Sequence, residues 1–268
     1  MTQGGEYEAS IPNGFPVLRQ DHAGIAWLTL NRPAARNALS APLLTALEQA
    51  LADIEADPAT RVVVIAGAGP AFCAGHDLRE LRGLQQDAQA ALFAQCSRVM
   101  QRIIGLRVPV IARVHGIATA AGCQLVASCD LAVAADTARF ATPGVNIGLF
   151  CSTPMVALSR AVSRKAAMEM LLTGEMLDAA RAATLGLINY AVPEAMLDDT
   201  VRTLAQKIAS KSPVTVGLGK PAFYAQAEMP LGDAYAYAAA VMLRNMQERD
   251  AHEGIDAFLE KRAPVWGG

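Results

Sequence analysis

The sequence lacks several features that would assign it to a familiar class. It contains no CxxC pair, and its five cysteines are an odd number, so neither a disulfide framework nor a redox motif is indicated. Its four histidines are far apart and show no HxxxH spacing, so no metal site is expected. No apolar run approaches the ~18–20 residues that a membrane span needs. The protein is therefore expected to bind neither a metal nor a membrane.

The chain also has no large excess of positive or negative charge. The chain carries 23 basic and 25 acidic residues for a formal net charge of −2, and without a basic patch a nucleic-acid partner is not expected. The opening stretch "MTQGGEYEAS" has no basic region and no apolar region, so neither a secretory signal nor a transit peptide is expected. Unpaired, buried thiols suit a reducing compartment. Together these absences predict a cytoplasmic protein.

What is present is a large apolar fraction arranged in alternating strand and helix patterns. The 268 residues are 53% apolar, enough for a sizeable core. Ser40 begins a helix whose leucines Leu44, Leu47 and Leu51 fall at helical spacing. The predicted strands are "GIAWLTLN", "RVVVIAG", "VPVIARVHG", "DLAVAAD" and "LINYAVP". This alternation predicts an α/β core over residues 1–192 and a helical C-terminal region over residues 193–268.

Three stretches carry possible chemistry. "GAGPAFCAGHDLREL" (67–81) and "HGIATAAGCQLVASCD" (115–130) each place small residues between a strand and a helix. Such turns can present backbone N–H groups to an anion or a polarised carbonyl, although a tight turn with no function is the simpler interpretation. "NRPAARNALS" (31–40) suits a loop before a capped helix, in which Arg36 either reaches a phosphate or stays solvated.

These stretches, in this order, resemble the successive blocks of the crotonase superfamily, whose best-known member is enoyl-CoA hydratase. "FATPGVNIGL", "LLTGEMLDAARAATLGLINYAVP" and "EGIDAFLEKRAPVW" continue the resemblance, which covers about residues 20–266. It implies a spiral of ββα units with a helical C-terminal trimerisation region, assembled as a homotrimer or a dimer of trimers. It also implies a coenzyme A thioester as substrate or ligand, with no further cofactor.

The resemblance implies roles for four positions. Family members hold the thioester oxygen with two backbone N–H groups, which here belong to His76 and Ala121. Family hydratases activate water with two glutamates, and the matching positions here are Gln124 and Gly144. Since an amide cannot exchange a proton near neutral pH and glycine has no side chain, the usual water-activating acids are both absent.

Other residues border the acyl pocket by the same resemblance. Cys151 is either a nucleophile or pocket wall, or a small buried hydrophobe. The His76 ring either acts as an acid or base, or points elsewhere while only its backbone N–H matters. Asn146 and Ser152 can bind a polar acyl group or water, but neither is a general base unaided.

For coenzyme A itself, the resemblance points to Arg36 near the pyrophosphate or ribose. It places the adenine against the loop at Ala71, Phe72 and Ala74. Lys261 and Arg262 either reach a phosphate or form a solvated helix face. Two functions follow: an acyl-CoA enzyme acting as hydratase, isomerase, thioester hydrolase or decarboxylase, or a non-catalytic acyl-CoA binding or regulatory protein.

Overall fold

The computed structural model describes residues 14–267, so the opening stretch assessed above for a leader lies outside the described residues. Within that range the strands form a six-stranded sheet in the order β1-β2-β3-β4-β6-β9 and a three-stranded sheet in the order β5-β7-β8. The strands are Val17–His22 (β1), Ile25–Leu30 (β2), Val62–Gly67 (β3), Val110–Val114 (β4), Ile117–Thr119 (β5), Leu131–Ala135 (β6), Arg139–Ala141 (β7), Leu177–Asp178 (β8) and Tyr190–Val192 (β9). In the larger sheet only the β1–β2 pair is antiparallel.

Helices cover both faces of the larger sheet. They are Ala41–Ala56 (α1), Leu78–Gly83 (α2), Gln86–Gly105 (α3), Ala121–Ser128 (α4), Pro154–Ala161 (α5), Arg164–Thr173 (α6), Ala179–Leu185 (α7), Leu197–Ala209 (α8), Pro213–Ala227 (α9), Leu231–Met246 (α10) and Arg249–Leu259 (α11). Short 3-10 helices lie at Pro33–Ala35, Pro143–Ile147 and Glu194–Met196. The side chain of Ser40 accepts a hydrogen bond from Leu43 N, as its predicted capping role requires.

Strand β3 shows why the sheet is covered on two sides. Successive side chains of a strand point to opposite faces. Val63 and Ile65 join the main core with α1 and α3, whereas Val62 and Val64 join a second cluster. That second cluster contains the buried face of α8. A strand buried on both faces reads as a continuous apolar run, which is why "RVVVIAG" was recognisable in the sequence.

The ββα units arise where the chain passes from the larger sheet to the smaller one. The predicted strand over 108–116 ends at Val114, and Gly116 turns the chain with a φ of +59° into β5. Helix α4 then follows β5 directly. The sequence pattern merged β4 and β5 and predicted β9, but it missed β7 and β8, because runs of two or three residues carry no periodicity. It also missed the six-residue strand β1. The α/β class and the helical C-terminal region are both confirmed.

The C-terminal helices differ in how they are covered. Helix α8 buries Leu197, Val201 and Ala205 against the larger sheet. Helix α9 has 15 residues, many of them apolar, yet none is buried, and α10 buries only Ala234. The boundary at residue 193 and the trimerisation role of the region beyond it stay predictions. No helix within residues 14–267 has both the length and the apolarity to cross a membrane.

A buried ionic cluster attaches α9 to the sheet. Asp130 contacts Lys220 Nζ at 2.8 Å, accepts a hydrogen bond from Tyr224 at 2.9 Å and accepts another from Val110 N at 2.7 Å. The side chain of Lys220 is only 6% exposed, and its burial lowers the pKa of the ammonium group. Removing the carboxylate would therefore leave a buried cation without a counter-charge.

We expect Asp130→Asn to lower the free energy of unfolding by about 3–5 kcal/mol, because breaking a buried pair leaves one charge uncompensated. Asp198→Asn is the matched control: it removes the partner of Arg113 at 2.6 Å, but Asp198 is 57% exposed, so the loss should be ~1 kcal/mol or less. Urea unfolding at one fixed protein concentration measures both. Equal losses in the two variants would contradict this account.

Candidate active site

The two glycine-containing turns that the sequence singled out lie side by side. Cys73 N donates to Ile117 O at 3.1 Å, and Thr119 N donates to Cys73 O at 3.0 Å. A Cβ on Gly122 would overlap the carbonyl oxygen of Cys73. A glycine is therefore required where α4 begins, because the backbone of the first turn packs directly against the start of the helix.

This packing places Gly75, the residue before His76, close to Ala121. A Cβ on Gly75 would lie 3.4 Å from Ala121 N. Leu39 N donates a hydrogen bond to Gly75 O, and Asp77 N donates one to Leu39 O. In this strand-like pairing of Leu39 with His76, the His76 N–H points away from Leu39. Ala121 is the first residue of α4, where N–H groups have no intrahelical acceptor. Within residues 14–267 neither N–H has a hydrogen-bond acceptor.

Ala120, immediately before α4, has an unusual backbone conformation. Its φ of +50° and ψ of −117° lie in a region that residues other than glycine rarely adopt. Ala120 N donates to Ala141 O at 2.9 Å, which ties this turn to the end of β7. Backbone strain of this kind persists where the surrounding structure fixes the conformation, and it clusters at functional sites. Ala120 was not among the residues predicted from sequence.

Asn37 fixes the third stretch to the first. It is fully buried with a φ of +55°, and its Nδ2 donates to Ala68 O at 2.9 Å and to Ala71 O at 2.7 Å. Its Oδ1 accepts from Arg32 N at 2.9 Å. Sequence reasoning treated Asn37 only as a loop residue, although an asparagine is among the few residues that tolerate positive φ.

The His76 side chain points towards α3. Its ring meets the edge of Phe93 with centroids 5.3 Å apart. Burial lowers the pKa of His76 to about 4, so the imidazole is neutral at pH 7, and its Nε2 is buried without a partner among the described residues. With so low a pKa, the His76 imidazole is a weak general base and carries no proton to donate as a general acid at pH 7.

Gln124 lies one helical turn after Ala121, and its side chain is directed into the interior. The residue is 4% exposed, and its Oε1 has no partner within residues 14–267. Ser128 Oγ bonds to the backbone carbonyl of Gln124 and leaves its amide group untouched. At the position predicted to match the first family glutamate, Gln124 is a buried, uncharged group.

The place of the second family glutamate is filled by backbone and sulfur. A Cβ on Gly144 would lie 2.6 Å from Leu149 O and 2.9 Å from Cys151 Sγ. Gly144 is buried, and its φ is not positive, so backbone conformation is not what requires glycine here. The turn over residues 149–151 closes over the position, so no side chain of any kind fits without rearrangement.

Cys151 is a buried neighbour of this position. Its thiol is 7% exposed, and burial raises the pKa of that thiol while a backbone hydrogen bond from Gly144 only partly offsets the increase. A thiol with a raised pKa is a poor nucleophile, so the structure favours the buried-hydrophobe interpretation. Asn146 and Ser152 lie in the same segment but are exposed, and the Asn146 amide lies close to Gly174.

The residues predicted to contact coenzyme A differ in how exposed they are. Arg36 is exposed, and its carbonyl accepts from Ala74 N at 3.0 Å, so the structure brings Arg36 and the 71–74 loop together. The side chains of Ala71 and Phe72 are buried at 1% and 0% exposure. These two residues could therefore meet an adenine only through their backbone atoms, and Ala74 is the more accessible of the three.

Lys261 and Arg262 differ in their ionic contacts. Arg262 binds Glu253 at 2.6 Å and Glu260 at 2.6 Å, and the Arg262 guanidinium lowers the pKa of Glu253 to about 2. Lys261 has no acidic partner within residues 14–267. Arg262 is thus already neutralised, and Lys261 is the better candidate for a phosphate contact. No cluster of three or more potential metal ligands occurs in the described part of the chain.

Comparison with known proteins identifies the family. The paired turns on a two-sheet core define a protein of the crotonase superfamily. Residues 20–268 match the family model described as enoyl-CoA hydratase/isomerase, and the chain belongs to that family. The resemblance drawn from the motifs, with the fold it implies, is confirmed.

Curated relatives and solved structures agree with this assignment. Enoyl-CoA hydratase domain-containing protein 3, mitochondrial, of Rattus norvegicus is 50% identical over 96% of this chain and 85% of its own. The Homo sapiens protein of that name is 51% identical over 94% of this chain and 83% of its own. An enoyl-CoA hydratase crystal structure from Mycobacterium smegmatis, 53% identical, superposes with a TM-score of 0.92 over 94% of this chain and 98% of its own.

These relatives also correct one expectation. The sequence predicted a cytoplasmic protein, but the rat, human and Xenopus laevis relatives are all named mitochondrial. The prediction was wrong because unpaired thiols exclude only an oxidising compartment and do not by themselves indicate the cytoplasm.

We expect Gly144→Ala to destabilise the protein by about 1–3 kcal/mol, because a methyl group there overpacks against Leu149 O and Cys151 Sγ. Gly105→Ala is the matched control. Gly105 ends α3 with nothing within 4 Å of its Cβ position, so that change should be neutral or stabilising by up to about 1 kcal/mol. Chemical denaturation distinguishes the two. If Gly144→Ala is as harmless as Gly105→Ala, the space at residue 144 is not filled as described.

Proposed function

We propose that this protein binds an acyl-CoA thioester and polarises its carbonyl with the N–H groups of His76 and Ala121. Two observations support the proposal: neither N–H group has an acceptor within residues 14–267, and Gly75, which precedes His76, packs against Ala120 and Ala121. Preorganised donors of this kind stabilise an oxyanion or enolate, and one donor is worth ~10²–10³ in rate. Membership of the enoyl-CoA hydratase/isomerase family supports the ligand class.

The same site is poorly equipped to add water to a double bond. Gln124 can orient water but cannot take its proton, and Gly144 leaves no room for an acid. General acid–base help is worth ~10²–10⁴ in rate, and the described site offers only a neutral, weakly basic imidazole in its place. We therefore propose an acyl-CoA protein that keeps carbonyl polarisation and has lost most of the proton transfer of a hydratase.

A second candidate is a non-catalytic acyl-CoA binding or regulatory protein. The packing at Gly144 favours it, because Leu149 O and Cys151 Sγ occupy the space that an acidic side chain would need. The two candidates differ in turnover: incubation with a panel of acyl-CoA and enoyl-CoA thioesters, followed by mass spectrometry, separates conversion from binding. A new product supports the enzyme, whereas retained ligands without products support the binding protein.

We expect the protein to hydrate crotonyl-CoA far more slowly than an ordinary hydratase. Gln124→Glu should raise that rate by no more than ~10-fold, because a buried carboxylate has a raised pKa and no second acid assists it. Gln124→Met, similar in volume but unable to bond water, should not exceed the wild type. Absorbance at the enoyl thioester band measures all three. Wild-type turnover at an ordinary hydratase rate would refute the role assigned to Gln124.

We expect Arg36→Gln to weaken acyl-CoA binding by roughly 10-fold, since the exposed Arg36 guanidinium, which has no acidic partner within residues 14–267, can bind the ligand phosphates. Binding of the matching acyl-pantetheine, which lacks the nucleotide, should not change. Calorimetry at about 20 mM and about 150 mM salt should show weaker acyl-CoA binding at the higher salt. Arg160→Gln, which breaks an exposed pair with Glu228, is the control. Identical losses for both ligands would show that Arg36 acts on the fold and not on the phosphates.

We also propose that the protein is a homotrimer or a dimer of trimers. The apolar helix α9 has no buried residue, and large apolar side chains are exposed on α10 and α11, among them Leu231 at 76% and Phe258 at 82%. Large apolar side chains exposed on neighbouring helices indicate an interaction surface. Light scattering at micromolar concentration should give three or six times the 28.2 kDa chain mass, and a monomer would overturn this proposal.

A further inference from the structure

The turn formed by residues 68–72 is held by two segments that are distant in sequence. Asn37 Nδ2 donates to two of its carbonyls. His115, which links β4 to β5, places its Nε2 2.6 Å from Gly69 O, and its own carbonyl accepts a hydrogen bond from Phe72 N at 3.0 Å. In the described part of the chain no other side chain bonds to a carbonyl of this turn. The arrangement of the 68–72 turn therefore depends on Asn37 and His115.

The 68–72 turn packs closely against the segment that carries Arg36. A Cβ on Gly69 would lie 2.5 Å from Pro33 Cβ, and Pro33 begins the 3-10 helix that ends directly before Arg36. A shift of the turn would therefore change its contact with Pro33 and, through that contact, the place of Arg36. The turn thus connects His115 to the residues that the proposed function assigns to coenzyme A.

The partners of His115 fix the tautomer of its ring. A guanidinium can only donate hydrogen bonds, so His115 Nδ1, which lies 2.8 Å from Arg113 Nη1, must be an acceptor without a proton. A carbonyl can only accept, so His115 Nε2 must carry the proton that it donates to Gly69 O. The ring is therefore neutral, and both of its nitrogens are bonded.

Protonation of the ring is incompatible with this arrangement. A proton on Nδ1 would face the Arg113 guanidinium, so that two donors and two positive charges would meet. Arg113 is not free to turn away, because its Nε contacts Asp198 at 2.6 Å and its side chain is only 18% exposed. We expect the His115 imidazolium to be displaced instead, and its hydrogen bond to Gly69 O to be lost with it.

The charged groups that face His115 come from three elements. They are Arg113 on β4, Asp198 on α8 and Glu194 on the 3-10 helix that precedes α8, whereas the 68–72 turn carries no titratable side chain. Partial burial, with a smaller effect of the Arg113 charge, lowers the pKa of His115 despite the opposing effects of its carbonyl bond and of the two carboxylates. The surroundings therefore favour the neutral ring.

We propose that His115 is a positioning residue that holds the 68–72 turn in its ligand-binding arrangement only while its ring is neutral, so that acidification loosens the turn and weakens acyl-CoA binding. This inference rests on the proposed function and specifies how the site responds to pH. Asn37 cannot supply the response, because an amide does not titrate. The pKa of His76 is about 4, so its ring stays mostly neutral between about pH 5 and about pH 7.5.

Hydrogen–deuterium exchange of the ligand-free protein tests the turn directly. After correction for intrinsic exchange rates, we expect the peptide spanning residues 67–74 to exchange at least about threefold faster at pH 5 than at pH 7.5 in the wild type. His115→Gln should show no such change, because its amide can donate to Gly69 O and accept from Arg113 but does not titrate. An unchanged wild-type turn, or an equal change in His115→Gln, overturns the inference.

Two further variants assign the response to the His115 ring. His115→Leu, which lacks both ring bonds, should exchange fast at both pH values, whereas His22→Gln, which removes an exposed histidine at the end of β1, should behave like the wild type. Slow exchange in His115→Leu at pH 7.5, or a lost response in His22→Gln, contradicts the role of His115. Thermal unfolding at both pH values shows whether each variant is folded.

Calorimetry with butyryl-CoA tests the consequence for the ligand. Coenzyme A carries a phosphate monoester, which itself titrates near about pH 6, so the wild type is compared with His115→Gln at each pH. Between pH 7.5 and pH 5 we expect the wild-type affinity to fall at least about threefold more than that of His115→Gln. Equal losses in the two proteins show that the turn does not control binding.

The two levels of proposal fail differently. If the wild type binds no butyryl-CoA at pH 7.5, the proposed function is wrong, and the predicted effect on the ligand is overturned with it, whatever the exchange of the turn. If both proteins bind butyryl-CoA with the same pH dependence, coenzyme A recognition stands and only the role of His115 in binding is refuted.

Discussion

The close contact between the Cys73 carbonyl and the first turn of α4 is the constraint on which the rest of the site depends. A Cβ at residue 122 would overlap that carbonyl oxygen, so glycine alone permits the strand-like pairing of Cys73 with Ala118. That pairing holds Gly75 close to Ala121. The positive φ of Ala120 is maintained because Thr119 N bonds to Cys73 O and Ala120 N bonds to Ala141 O, two acceptors in separate segments.

The two positions predicted to match the water-activating glutamates differ from a glutamate in different ways, and the difference matters physically. At residue 124 an amide has nearly the same shape as a glutamate, so it would keep the volume and the hydrogen-bonding capacity of a carboxylic acid but not its proton chemistry. At residue 144 the space itself is gone, because Leu149 O and Cys151 Sγ occupy it. The first change is reversible by one substitution, whereas the second requires the 149–151 turn to move.

Much of this could be predicted from the sequence, and what could not has identifiable reasons. The buried strand β3 and the Ser40-capped helix were visible as periodicity and capping signals, and the absent acids were visible from the motif alone. Contacts made when the chain folds back on itself were not visible in the sequence. At Gly144 the space is filled by residues five and seven positions further along the chain. The role of Asn37 depends on which backbone groups its side chain meets across 31 and 34 residues of sequence, which no spacing rule reports.

An enzyme accelerates a reaction only through interactions that are stronger in the transition state than in the ground state. The backbone N–H pair at His76 and Ala121 has that character, because the negative charge it would meet grows as a carbonyl becomes an oxyanion. The Gln124 side chain does not, because an uncharged group that exchanges no proton contributes nearly as much to a bound ground state as to a transition state. In the proposed function, therefore, the backbone donors promote the chemistry and the side chains choose the ligand. Selection between acyl groups can then change by side-chain substitution while the donors, which any residue but proline can supply, stay in place.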